Sequence, residues 1–176
     1  MISILDLKNV HAGFPAVVLG GGLSLRSDLD QVPAGRIVIA ANHHNPWPFR
    51  SDYLVFMDDP EKFPQLRRAI DETPAMLVST RREWTDVDLG GAKWWNGRFT
   101  GHLAAWLGCW MGCDPVILCG FDCYQVRPPG ATDSAYDMPL EKHLDEWRQA
   151  FTRCYNPERI RAVSGPLVEV FGKQGE

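Results

Sequence analysis

The residues best equipped for chemistry stand at the ends of short apolar runs. Gly20-Gly21-Gly22-Leu23-Ser24-Leu25 follows Ala16-Val17-Val18-Leu19 directly. Glycines at such a point let backbone N–H groups approach a phosphate or a sugar, and the start of the next helix adds partial positive charge. The turn is not the dinucleotide fingerprint, because the third glycine of G-x-G-x-x-G is absent. A tight strand-to-helix turn with no ligand is the alternative. Asn42-His43-His44-Asn45 ends the next run, and Asn42 offers a donor and an acceptor suited to a base or ribose edge. The paired histidines, in an extended segment, point to opposite sides, which disfavours a shared metal. Asp58-Asp59 would either hold a divalent ion beside a diphosphate or open the next helix as solvated acids. Ser79-Thr80-Arg81-Arg82 offers an arginine pair for a phosphate, or a solvated loop.

The densest constellation comes later. Thr100-Gly101-His102 opens an apolar helix, and a small hydroxyl residue followed by glycine leaves N–H groups open to an anion. Val116-Ile117-Leu118-Cys119 then runs into Gly120-Phe121-Asp122-Cys123-Tyr124, placing a carboxylate and a phenol at a strand end. Cys109-x3-Cys113 and Cys119-x3-Cys123 look like a ligand quartet, yet neither has the two-residue spacing of a zinc knuckle. They read as small core residues, so no metal site and no stoichiometric zinc are expected. Trp47, framed by Pro46 and Pro48, either stacks on a ligand ring or anchors its loop.

These residues need elements to hold them. The runs at 16–19, 37–41, 53–57, 75–78 and 115–119 are unbroken rather than alternating, as for strands covered on both faces. Helical spacing marks Glu61 to Asp71, Thr100 to Met111 and Leu140 to Cys154; the last carries Leu140, Leu144, Trp147 and Phe151 on one face. Strands alternating with helices predict a mainly parallel α/β sheet with right-handed crossovers, its ligands at the carboxyl edge of the strands. Glu83 to Phe99 and Gln125 to Pro139 read as long loops, and Ile160 to Phe171 as one or two further strands split by Gly165-Pro166.

Composition bounds the rest. A chain of 176 residues, 45% hydrophobic and 23% charged, predicts one folded domain over residues 1–176 and excludes wholesale disorder. With 18 Lys and Arg against 22 Asp and Glu, the net charge of −4 argues against nucleic-acid binding. Any anionic ligand must be held locally. No apolar run reaches the ~18–20 residues of a membrane helix, and the N-terminus lacks the basic start of a signal peptide. Five cysteines in apolar company suit reduced thiols, so a cytoplasmic location is expected.

Taken in order, the motifs resemble those of the bacterial lipooligosaccharide sialyltransferases and related domains. That family has G-N-G-P-S-L after the first strand, an N-Q pair after the second, S-G opening a helix and G-I-D-F-Y after a later strand. A second Tyr and a helical His follow. Gly20 to Leu25 is similar to the first, Asn42 to the second, Thr100-Gly101 to the third and Gly120 to Tyr124 to the fourth, with Tyr136 and His143 in the last two places. Gly21 stands where the family has Asn and Leu23 where it has Pro; six residues separate Tyr136 from His143, where the family has more.

The resemblance implies a Rossmann-like three-layer fold and transfer of a sugar, with inversion, from a nucleotide donor such as a CMP-sugar, without an essential metal. Gly20, Gly21, Gly22, Ser24, Asn42, Thr100, Gly101 and Asp122 would hold the donor. Tyr124 and Tyr136 would bond the leaving phosphate and His143 would act as base. Two alternatives stay open. One is a pyrophosphokinase-like domain using Mg²⁺ at Asp58, Asp59 and Asp122. The other is a non-catalytic nucleotide or sugar binder, which the short Tyr136–His143 segment favours. Assembly into a homo-oligomer is also left open.

Overall fold

The computed structural model describes residues 1–43, 50–90, 97–126, 134–154 and 156–176. The main sheet has six strands: β2 (Ala16–Leu19), β3 (Ile37–Ala41), β4 (Tyr53–Phe56), β5 (Met76–Ser79), β7 (Val116–Cys119) and β8 (Ile160–Ala162). All neighbours are parallel, in the order β5-β4-β3-β2-β7-β8. Every residue of β2, β4 and β7 is buried, which is why those stretches read as continuous apolar runs. The two faces alternate along each strand. Ala16 and Val18 join one core with the long helices, while Val17 and Leu19 join another beneath Leu25 and Leu29.

The helices form the outer layers. On one face lie α3 (Thr100–Trp110), α4 (Leu140–Phe151) and the short α5 (Val168–Phe171); α1 (Leu25–Leu29) and α2 (Pro64–Glu72) cover the other. Every residue of α3 from His102 to Trp110 is buried, as its all-round apolar sequence requires. Helix α2 buries Leu66 and Ile70 and pairs Arg67 with Asp71 and Arg68 with Glu72 on its outer side. It begins at Pro64, three residues after the expected Glu61, because proline sits well at a first helical position and Asp59 already holds the Glu61 N–H in a turn.

The order of the strands locates the site. From β2 the chain winds outward through β3, β4 and β5, then returns to lay β7 on the other flank of β2. The winding reverses between β2 and β7. In open α/β sheets the carboxyl ends of the strands part at such a reversal, leaving a crevice.

Two features differ from the sequence reading. Of Ile160 to Phe171 only the first three residues are a strand: Gly165, at φ +74, turns the chain and Val168–Phe171 is a helical turn. The stretch Glu83 to Phe99 is not all loop, since Val87–Asp88 (β6) pairs with Ile2–Ser3 (β1) as a separate two-stranded sheet. Two-residue strands are too short for any period to reveal. Trp94 and Trp95 lie outside the described residues. Both borders of the main sheet are covered. Along β5, Asp86 takes the Leu77 N–H and Thr85 the Ser79 N–H; along β8, Gly172 accepts from Ala162 and Gln174 donates to it. Among the described residues no helix is long and apolar enough to cross a membrane.

Candidate ligand-binding cleft

The glycine-rich turn is shaped by contact with the end of β7. Gly20 donates to Cys119 O at 2.8 Å and Gly22 to Gly120 O at 2.7 Å. A Cβ on Gly22 would lie 2.5 Å from Asp122 Oδ2 and 2.7 Å from Gly120 O; one on Gly20 would run into Gly120 O. The glycines are needed because two backbones touch here. Bonding alternates along the turn. The N–H groups of Gly20, Gly22 and Ser24 are taken, whereas those of Gly21 and Leu23 meet no partner among the described residues.

The β7 end is conformationally costly. Cys123 and Tyr124 both adopt the left-handed region, at φ +48 and +58. Consecutive non-glycine residues there, one with a bulky ring, persist only where the surroundings hold them, and such strain concentrates at functional sites. The result is that Tyr124 lies flat on the imidazole of His143, centroids 5.2 Å apart at 19°, and meets Tyr136 edge-on at 4.8 Å.

His143 and Trp147 project from α4 one turn apart. His143 is 1% exposed, and its Nε2–H donates to the Ala135 carbonyl at 2.9 Å. A carbonyl can only accept, so Nε2 carries a proton, and the tautomer that fits this bond has its lone pair on Nδ1. Together Gly21, Gly22, Gly101, Tyr124, Tyr136 and His143 line one cleft of about 140 Å³. Phe99, Phe121 and Trp147 supply its aromatic walls, and no Lys or Arg lines it among the described residues. That volume holds about five waters, or one ring-sized group with a polar tail.

Behind the wall lies His102, fully buried against Phe99 and Trp147, whose ring it meets edge-on at 4.4 Å. Its Nδ1 accepts the Arg98 N–H at 3.2 Å and so ties down the chain entering α3. Burial, then the nearby His143, hold its pKa down to about 3, so the ring is neutral.

Of the residues expected at the site, Gly21, Gly22, Gly101, Asp122, Tyr124, Tyr136 and His143 meet at the cleft. Gly20 and Ser24 belong to the same turn without lining the cleft, and Thr100 stands one residue before the lining Gly101. Ser24 and Asp122 are engaged with each other: the Ser24 N–H and hydroxyl both donate to the Asp122 carboxylate. Asn42 stands apart at the end of β3, with φ +56 and a buried side-chain oxygen without a partner. His44, Asn45 and Trp47 lie outside the described residues.

Asp58 and Asp59 follow β4, three strands from Asp122, about 14 Å by strand spacing. Asp59 faces Arg81 and Lys62, each at 3.9 Å, and Arg82 faces Asp88 at 3.7 Å. The cysteines do not form a quartet. Cys109, Cys113 and Cys123 belong to the core under α3, and Cys119 to the core on the opposite face of the sheet. Burial pushes Cys113, Cys119 and Cys123 up to about 12; the adjoining Cys154 thiol and burial push Cys109 higher still. Among the described residues no group of three His, Cys, Asp or Glu stands close enough to hold a metal ion. Sequence reasoning missed His102 and Asp28, and took Trp147 for core alone. Only the histidine had a signal, following Thr100-Gly101 at the head of a buried helix.

The fold is that of a Rossmann-like α/β protein with a mostly parallel sheet and a cleft at the switch point. No protein-family model matches the sequence, and no curated protein does. Among solved structures the chain is similar in fold to the MAf glycosyltransferase from Magnetospirillum magneticum AMB-1, with a TM-score of 0.59 and 13% identity. The match covers 92% of this chain and 35% of that one, so the chain spans about a third of that glycosyltransferase.

Proposed function

We propose that the protein binds a nucleotide-activated sugar, a CMP-sugar in the first instance, along the carboxyl edge of the sheet with one ring seated in the switch-point cleft, and acts as a glycosyltransferase. One observation carries this reading: a glycine-rich turn with two N–H groups unpartnered among the described residues, two tyrosines and a histidine whose Nε2 donates to Ala135 line one aromatic-walled cleft. The likeness to part of a glycosyltransferase fold supports it. The donor phosphate sits on the N–H groups of Gly21 and Leu23 and the head of α3, and Asn42 meets the base. Nδ1 of His143 takes the proton of the acceptor hydroxyl as that oxygen attacks the anomeric carbon from the face opposite the phosphate. The bond from carbon to phosphate oxygen breaks, the configuration inverts, and the nucleotide monophosphate leaves. Tyr124 and Tyr136 hydroxyls donate to the charge that grows on it.

A thermal-shift panel of cytidine, uridine, adenine and guanine nucleotides, with and without Mg²⁺, tests the reading. A ligand at 100 times its Kd adds about 2.7 kcal/mol of stability. Cytidine nucleotides are expected to stabilise most, with or without metal. Equal shifts for all, or none, sink the reading. Strict Mg²⁺ dependence points to a pyrophosphokinase-like reaction instead, and binding without hydrolysis or transfer to a non-catalytic binder.

A further inference from the structure

Beneath the glycine-rich turn lies a carboxylate that this chemistry leaves unused. Asp28, near the end of α1, is 1% exposed. Its Oδ2 accepts the Gly120 N–H at 2.9 Å and lies 3.1 Å from Ser24 Oγ. Its Oδ1 accepts the Ser164 hydroxyl at 2.6 Å. These partners come from the turns after β2, β7 and β8, so one side chain joins the three segments that meet under the cleft. Gly120 matters most, because its carbonyl receives the Gly22 N–H and so sets where the glycine-rich turn rests.

We propose that Asp28 is a positioning residue: it fixes the turns after β2 and β7 against each other so that the Gly21 and Leu23 N–H groups face the cleft and the anionic part of its ligand. The inference rests on the phosphate-binding reading of that turn.

Charge alone argues the opposite way. Asp28 and Asp122 are carboxylates standing directly behind donors meant for an anion, and like charges this close repel. A neutral residue at position 28 would favour phosphate if charge decided the matter. A favourable contribution from Asp28 would instead be geometric, through the buried bond to the Gly120 N–H and the bond to the Ser164 hydroxyl. Positioning and charge thus predict changes of opposite sign, and the sign is measurable.

Asp28→Leu keeps the approximate shape, removes the charge and leaves the Gly120 N–H and the Ser164 hydroxyl without the acceptor each uses. Calorimetric titration of wild type and variant with pyrophosphate and with CMP gives the affinities, and amide hydrogen exchange reports on Gly120 and Ser24. Positioning predicts affinity lower by about tenfold or more, with faster exchange at Gly120 and unchanged exchange in the middle of α3. Equal or tighter binding by the variant, with wild-type binding intact, overturns the proposal and leaves the proposed function standing. If Asp28→Leu does not fold, Ser164→Ala removes a partner of Oδ1 from a residue that does not line the cleft. It should lower affinity a few-fold in the same direction, and unchanged affinity counts equally against the proposal. A wild type that binds neither probe removes the phosphate reading of the turn, and the inference with it.

Discussion

What distinguishes His143 from an ordinary helical histidine is the Ala135 carbonyl on its Nε2–H. Proton transfer needs a ring whose tautomer does not have to change first, and that bond fixes it. In the proposed reading the nucleotide contacts come from other segments, so His143→Ala should leave nucleotide affinity within a few-fold and slow transfer by roughly 10²–10⁴, measured as kcat against Kd. A kcat within a few-fold of wild type would remove the base from His143. The neighbouring His102 gives a pH signature. Its folded pKa of about 3 lies below the ordinary 6.5, so the unfolded chain binds its proton first as pH falls. Its contribution to stability is whole above about 6.5 and is lost progressively as pH falls towards 3. Burial lowers His11 and His43 as well, so urea unfolding of wild type and His102→Gln between pH 7.5 and 4 isolates its share. The variant should show a flatter decline; an identical slope would mean that His102 is not held neutral by the fold. The sequence showed the two histidines as letters in helical stretches. Their tautomers and burial depend on Ala135, Arg98, Phe99 and Trp147, which only folding assembles.

At the scale of elements, the turn after β2 and the end of β7 are one unit divided between two strands. Gly22→Val brings a branched side chain against Asp122 and the Gly120 carbonyl. It should weaken nucleotide binding and cost about 1–3 kcal/mol of stability, read from titration and from denaturant unfolding together. Unchanged affinity would mean that the backbone's close approach is not what the ligand uses. The strands themselves were legible, because residues such as Val17 and Val18 must both be apolar when a strand is covered on both faces. The long helices were legible from Leu66 and Ile70, and from Leu144, Trp147 and Phe151. What was not legible was pairing across distance. Ser24 and Asp122 are 98 residues apart, and nothing in the sequence marks that the fold bonds one to the other. Asp28 looked like one acid among Ser27, Asp28, Leu29 and Asp30, and only Gly120 and Ser164, brought in from two other strands, mark it out.

In the whole molecule, the reversal of winding between β2 and β7 explains why motifs a hundred residues apart form one cleft while Asp59 and Arg81 stay with each other near the far border. The covered borders of that sheet have their own consequence. A parallel sheet that ended in bare N–H and C=O groups would be a template on which another chain could crystallise as a further strand. Here the side chains of Thr85 and Asp86 spend the outward groups of β5, and the chain's last turn spends those of β8. Growth strand by strand is therefore stoppered at both rims from within. At these two rims, copies of this chain that meet at high concentration are left with side-chain surfaces, where charge and shape can be selective, in place of the indiscriminate grammar of the backbone.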